Sequence, residues 1–229
     1  EILAARHEQT RFVEASQFES SVFLNRGSRF ERIALPRAAQ LSPVFSLNVG
    51  DVDGDGTEDL FVGQNFFGSA SDLSREDSGQ GLWLRGRSDG RFSAMDSTIS
   101  GIRILGEQRS AALADFNHDA RVDLAVSQNN EQTKLYLNKL ARPGLRVIVT
   151  GPPLNPHAIG ARLRLEYKDG TRGPARAIQC GSGYMSQDAA VQVLGLRGPV
   201  EAVWIHWPNG KEQSIRVSKE NEVRIAWER

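Results

Sequence analysis

Hydrophobic and polar positions follow two different rhythms along the chain. From Leu145 they alternate. In 161–168, ARLRLEYK, the leucines and the tyrosine fall on one side and the charges on the other, which predicts a half-buried strand ending at the turn Asp169-Gly170. The run 203–207, VWIHW, the break at Pro208-Asn209-Gly210 and the return over 213–217 predict a hairpin. Trp204 and His206 share one of its faces, opposite Val203, Ile205 and Trp207. Further short strands are expected at 145–150, 175–179, 190–194 and 222–227, and a small antiparallel β-sandwich or barrel is the natural architecture for 145–229.

Before residue 140 the pattern repeats rather than alternates. DVDGDGTEDLFVGQN at 51–65 returns as DFNHDARVDLAVSQN at 115–129, aligned without a gap. A second element recurs beside it: Val22-Phe23-Leu24-Asn25 followed by Arg29-Phe30, then Leu82-Trp83-Leu84-Arg85 followed by Arg91-Phe92, and a third copy at Leu135-Tyr136-Leu137-Asn138. Each unit therefore reads as an aromatic-rich strand, a turn, an intervening segment, an acidic loop and a strand of apolar residues. Units of about 60 residues with several short strands are the pattern of propeller blades. The weakly periodic opening, 2–18, reads as a short helix packed on the first unit. Two domains are expected, 1–140 and 145–229, joined at Ala141-Arg142-Pro143-Gly144.

The acidic loops carry specific chemistry. Asp51, Asp53, Asp55 and Asp59 stand at positions 1, 3, 5 and 9 of the first loop, where a tight wrap turns four carboxylates inward and leaves the Thr57 carbonyl to close the shell. Hard oxygen donors at this spacing suit calcium. Gly54 and Gly56 supply the positive φ that the wrap needs. Neither loop is an EF-hand, because Val62 and Val126 stand where a bidentate glutamate is required. The second loop offers Asp115, Asn117, Asp119 and Asp123 with the Arg121 carbonyl, but has one carboxylate fewer and replaces the two glycines by His118 and Ala120. Two calcium sites are expected, the one at 51–59 tighter than the one at 115–123.

These residues resemble FG-GAP or VCBS repeats, the calcium-loop blades of integrin-α-like β-propellers, over roughly 19–138. NPHAIGARLRLEYKDG, CGSGYMSQD and VEAVWIHWPNGKEQ resemble, in that order, the ASPIC/UnbV domain, over about 145–227. Together they are similar to the cartilage acidic protein-like family, and the resemblance implies an extracellular, calcium-bound interaction protein without catalytic residues to carry over. The expected fold is thus mostly β: a partial β-propeller followed by a small antiparallel β-domain. About 140 residues make two blades and parts of their neighbours, whereas a ring needs four to eight. The chain is expected to be the C-terminal portion of a longer protein, its remaining blades coming from that chain or from another copy.

Composition narrows the partners. Lysine and arginine total 28, as do aspartate and glutamate, so no global basic field attracts nucleic acid. The zero is a cancellation: 1–140 has 20 acidic and 15 basic residues, net −5, and 141–229 has 8 and 13, net +5. No apolar run approaches the ~20 residues of a membrane span. The single cysteine, Cys180, excludes an internal disulfide and a multi-thiolate zinc site, and reads as a buried structural thiol. No secretory signal opens the chain as given, yet the calcium loops favour an exported protein, extracellular or periplasmic.

There is no GxSxG, HExxH, phosphate-binding or dinucleotide motif. Catalysis is therefore not favoured, and the expected function is non-enzymatic binding to a protein or glycan. The alternative is an enzyme or biosynthetic accessory protein with a ligand site between the two halves. Trp204 and His206 are candidates for an aromatic platform for a sugar, although a Trp in a sandwich reads first as core. Separately, the outward Arg162, Arg164 and Lys168 are candidates to grip a carboxylate or sulfate, although a solvated charged strand face is the default reading. Phe66 and Phe67 read as blade packing, and Glu107 and Arg109 as loop hydrogen bonding.

Overall fold

The computed structural model describes residues 13–70, 72–218 and 221–228. The chain forms two compact units, Glu1–Leu35 and Pro36–Arg229. In the first, β1 (Ser21–Asn25), the strand expected from the recurring aromatic motif, pairs antiparallel with β2 (Phe30–Ala34). Residues 2–12 of the expected opening helix lie outside the described residues, and 13–18 carry no helix.

The second unit opens with a 3-10 turn, Arg37–Gln40, and then an antiparallel meander of β3 (Val44–Gly50), β4 (Asp59–Gln64), β5 (Leu82–Gly86) and β6 (Phe92–Met95). One turn of helix, α1 (Ser97–Ser100), is capped by the Asp96 carboxylate, which accepts from the Thr98 N–H at 2.8 Å, and stops at left-handed Gly101. A three-stranded antiparallel sheet follows: β7 (Glu107–Ala114), β8 (Asp123–Asn129) and β9 (Glu131–Tyr136).

The sequence repeat is a structural one. Gly50 pairs with Asp59 and Ala114 with Asp123, and a bulge interrupts the register at Val44/Ser46 and again at Gln108/Ser110. Each of these positions in the second sheet is the one that the sequence repeat aligns with its fellow in the first. The two sheets then stack on one another in a fixed sense. Phe61 and Trp83 of the first join Ala111, Leu113, Leu124 and Val126 of the second in one apolar cluster, closed by Ile102 and Ile104. On the other face of the first sheet, Leu47 and Val49 are 46% and 44% exposed, whereas their repeat counterparts Ala111 and Leu113 are buried.

The rest of the unit is a two-sheet sandwich. One sheet has the order β13 (Gln192–Leu194), β10 (Leu145–Thr150), β16 (Glu222–Ala226); the other has β12 (Arg176–Ala177), β11 (Arg162–Tyr167), β14 (Val200–His206), β15 (Glu212–Arg216). Alternation puts Leu163 and Leu165 of β11, Val203 and Ile205 of β14, Val147 of β10 and Ile225 of β16 in one core beside Trp207. The expectation of a purely antiparallel domain is corrected at one pairing: β10 and β16 are parallel. The first and last strands run the same way, and the strands between them serve as the long connection that parallel neighbours require.

None of the five sheets formed by described residues closes on itself. No helix among those residues is long and apolar enough to cross a membrane.

Because Pro36–Arg229 is one compact unit, a cavity in either core should lower a single, shared unfolding transition. Leu163→Ala is expected to cost about 2–5 kcal/mol and Trp83→Ala about 3–5 kcal/mol. Denaturant unfolding followed by fluorescence and circular dichroism checks this, and two separable transitions would contradict it.

Candidate metal centre

Each acidic loop is folded around its first aspartate. The Asp51 carboxylate accepts from the N–H groups of Gly54 (2.9 Å), Asp55 (3.1 Å) and Gly56 (2.7 Å). Asp53 accepts from the Asp55 N–H and Asp55 from the Thr57 N–H, at 3.2 and 2.8 Å. The last aspartate ties the loop's ends together: Asp59 accepts from the Val52 N–H at 3.0 Å and from the Gly86 N–H of β5 at 2.7 Å.

The second loop repeats this pattern. Asp115 accepts from the N–H groups of Asp119 and Ala120, Asn117 from that of Asp119, Asp119 from that of Arg121, and Asp123 from those of Phe116 and Asn138. The backbone agrees even where the residue types differ. Gly54 and Gly56 have φ of 72° and 88°, and their counterparts His118 and Ala120 both have φ of 62°. In the first loop glycine is required twice over: a Cβ on Gly54 would lie 2.5 Å from the Arg142 carbonyl oxygen.

The side chains do not repeat. In the first loop, oxygens of Asp51, Asp53 and Asp59 all lie within 4.8 Å of one another. Asp51 and Asp59 are buried, and no basic side chain among the described residues pairs with either. Burial pushes the Asp51 carboxyl up to about 6 against the pull of the Gly56 N–H, with the charges of Asp55, Glu58 and Asp53 adding to the rise. Burial likewise lifts Asp59 to about 7, against the N–H groups of Gly86 and Val52. Asp53 also stands above its ordinary range, through burial and the neighbouring Asp55. Asp55 is drawn outward instead, to Arg85 at 3.1 Å, and Arg85 also pairs with Asp53 at 2.6 Å. Three converging carboxylates, two of them buried with no ion-paired basic side chain among the described residues, fit a hard divalent cation.

In the second loop that position is filled. Arg146 of β10 brings its Nε to 2.7 Å from Asp115 Oδ2, as an ion pair without hydrogen-bond alignment. Asp119 is paired with Arg121 at 3.0 Å, and Arg121 also donates to the Ala141 carbonyl.

Both loops face the C-terminal sandwich. A Cβ on Gly195, just past β13, would stand 1.6 Å from Asp51 Oδ2, and one on Gly56 would meet Arg197 at 3.0 Å. Beside them a cleft of about 390 Å³ runs between β3, β7 and the 175–193 segment, walled by Leu47, Val49, Leu113 and Val193. Its charged groups are already engaged: Arg176 is ion-paired with Glu58, and Asp188 accepts from Asn48 and from the Leu113 N–H.

The other sequence candidates fall into two groups. Arg162 and Arg164 of β11 stand opposite His206 and Trp204 of β14, so all four occupy the outer face of one sheet. Arg162 reaches His206 Nδ1 at 3.4 Å, and Arg172 lies over the Trp204 ring. Phe66 and Phe67, expected as blade packing, and Glu107 and Arg109, expected as loop hydrogen bonding, form one cluster. Glu107 accepts from the Phe67 N–H, Asn129 and Arg109, and Arg109 stacks on Phe45 and Phe66. Cys180 is exposed, which corrects the reading of a buried thiol. The chain leaves the core after buried Ile178 and turns out through left-handed Gly181, carrying the thiol with it.

Arg85, Arg146 and Gly195 shape the two loops without being among the candidates that loop spacing singles out. Arg85 had a signal, since the recurring strand motif ends in Asn25 and Asn138 elsewhere. Arg146 had none: it lies in a different sheet, and only the tertiary fold brings it to Asp115.

Residues 151–227 match the family model described as ASPIC and UnbV, a segment that takes in β11 to β16. No curated protein matches the chain.

Gly195→Ala should displace Asp51 and cost roughly 1–3 kcal/mol, since neither the strapped carboxylate nor the loop backbone can retreat freely. Gly198→Ala, with nothing within 4 Å of the added carbon, serves as control. Equal melting temperatures for the two variants would refute the contact.

Proposed function

We propose that the chain is a non-enzymatic, calcium-binding interaction module of an exported protein, with FG-GAP or VCBS blades of a partial propeller ahead of an ASPIC/UnbV-like domain. The observation that carries this reading is the first loop, where Asp51, Asp53 and Asp59 converge and two of them are buried with no ion-paired basic side chain among the described residues. Asp55 and the Thr57 carbonyl complete the shell once Asp55 leaves Arg85. Calcium supplies the charge that holds this loop rigid, and weak oxygen sites of this kind fill at extracellular calcium concentrations.

The stacking of the two repeat sheets supports further blades. Ala111 and Leu113 are covered by the sheet before them. Leu47 and Val49, at the same positions, are 46% and 44% exposed and wall the cleft beside the 175–193 segment, with no sheet over them among the described residues of this unit. A hairpin like β3–β4, from the rest of a longer chain or from another copy, fits there.

For the partner, the outer face bearing Trp204, His206, Arg162 and Arg164 favours a glycan carrying carboxylate or sulfate, with the ring stacked on the sugar and the guanidinium groups on the anion.

Calorimetric titration should find calcium binding that Asp51→Ala abolishes. Without metal, the raised carboxyls of Asp51 and Asp59 make the folded state hold more protons than the unfolded one, so their contribution to stability falls as pH rises from about 4 through about 7. Calcium should therefore raise the melting temperature more at pH 8 than at pH 5, and an equal rise at both would count against the site. On a glycan array, Arg162→Glu with Arg164→Glu should lose sulfated and carboxylated ligands. Unchanged binding would remove the face from consideration.

A further inference from the structure

We infer that Arg146 is the resident cation of the second acidic loop, and that this loop takes no calcium. The contrast with the first loop rests on the calcium reading above; the geometry of the second does not. Asp115 is the repeat counterpart of Asp51 and is strapped by the Asp119 and Ala120 N–H groups, the counterparts of two of the three that hold Asp51. Its carboxylate side chain is 1% exposed and that of Arg146 is 13% exposed, with 2.7 Å between Nε and Oδ2. A guanidinium at that distance from the central carboxylate stands where a metal would have to coordinate, and a second cation would be repelled by it.

The guanidinium is held on its other sides as well. It donates to Glu222 of β16 at 2.6 Å and lies 2.7 Å from His118 Nδ1. His118 Nδ1 can accept only as the neutral tautomer protonated on Nε2. Two of the second loop's departures from the first, His118 and Asn117, thus belong together. His118 replaces Gly54 at a left-handed position that histidine tolerates better than most residues, and its ring buttresses the arginine that replaces the ion. Asn117, in place of Asp53, removes a carboxylate that one guanidinium has no need to balance.

The fold gains a fastening that does not depend on metal supply. Arg146 belongs to the C-terminal sandwich and Asp115 to the second repeat, so this pair joins them in calcium or in chelator alike.

The test is calcium titration by calorimetry on the whole chain, with melting temperatures in calcium and in chelator. The unsubstituted protein should bind one equivalent. Asp115→Asn should leave that affinity within about two-fold, because the loops are separate sites, and should lower the melting temperature equally with and without calcium. Loss of an equivalent in Asp115→Asn, or a melting deficit seen only in calcium, overturns the inference. Arg146→Met, which keeps the aliphatic stem, should gain a second equivalent, and an unchanged count would show that the guanidinium was not holding the cation position. If Arg146→Met does not fold, the Asp115→Asn comparison decides alone. Zero equivalents on the unsubstituted chain would sink the first-loop reading only, since it agrees with a second loop that takes none.

Discussion

Both repeats depend on one interaction: a buried aspartate accepting the N–H groups of the loop that follows it. Asp51 and Asp115 each gather N–H groups from the turn just beyond them, and that pull drives the backbone into left-handed conformations at 54, 56, 118 and 120. Once the loop is wound, the last aspartate, Asp59 or Asp123, fixes the start of the next strand and sets its register. The winding concentrates negative charge in a dry place. Burial of a carboxylate is costly unless its charge is neutralised, so each loop calls for a proton or a cation at its buried aspartates.

The two loops meet that requirement differently, and the C-terminal sandwich takes part in both. Gly195 gives up its side chain so that the backbone can pass against Asp51, and Arg146 extends its own into the second loop. The repeats and the sandwich are therefore not neighbours that happen to touch. Glu58, immediately before Asp59, pairs with Arg176 of β12 and ties the first loop to the opposite sheet of the same sandwich.

Much of this was legible in the sequence because it depends on near neighbours. The four aspartates, their glycines and the strands on either side all lie within 44–64, so spacing alone exposes the wrap and its second copy. The hairpin of β14 and β15 and the split between its two faces follow from period-two alternation, whereas the pairing of β11 with β14 that sets Arg162 and Arg164 opposite His206 and Trp204 does not. What spacing cannot carry is a contact made across sheets. Arg146 reads as one more charge on a strand, and Gly195 as a loop glycine, until the sandwich is laid against the repeats. Parallel pairing of β10 with β16 was hidden for the same reason, since short alternating strands look alike whichever way they run. Cys180 misled because burial of cysteine is a habit of the residue type, whereas its place is set by a glycine-rich turn.

That parallel pairing also sets an order of events. β10 is the first strand of the sandwich to leave the ribosome and β16 is the last, so β10 waits for nearly the whole domain before its partner exists. Arg146 waits with it, because Glu222, which steadies the guanidinium against Asp115, comes only with that last strand. Contacts this distant close late in folding. The final strand therefore acts as a latch: a chain cut short before it would leave β10 without its parallel partner and Arg146 without Glu222, exposing a strand edge to other chains.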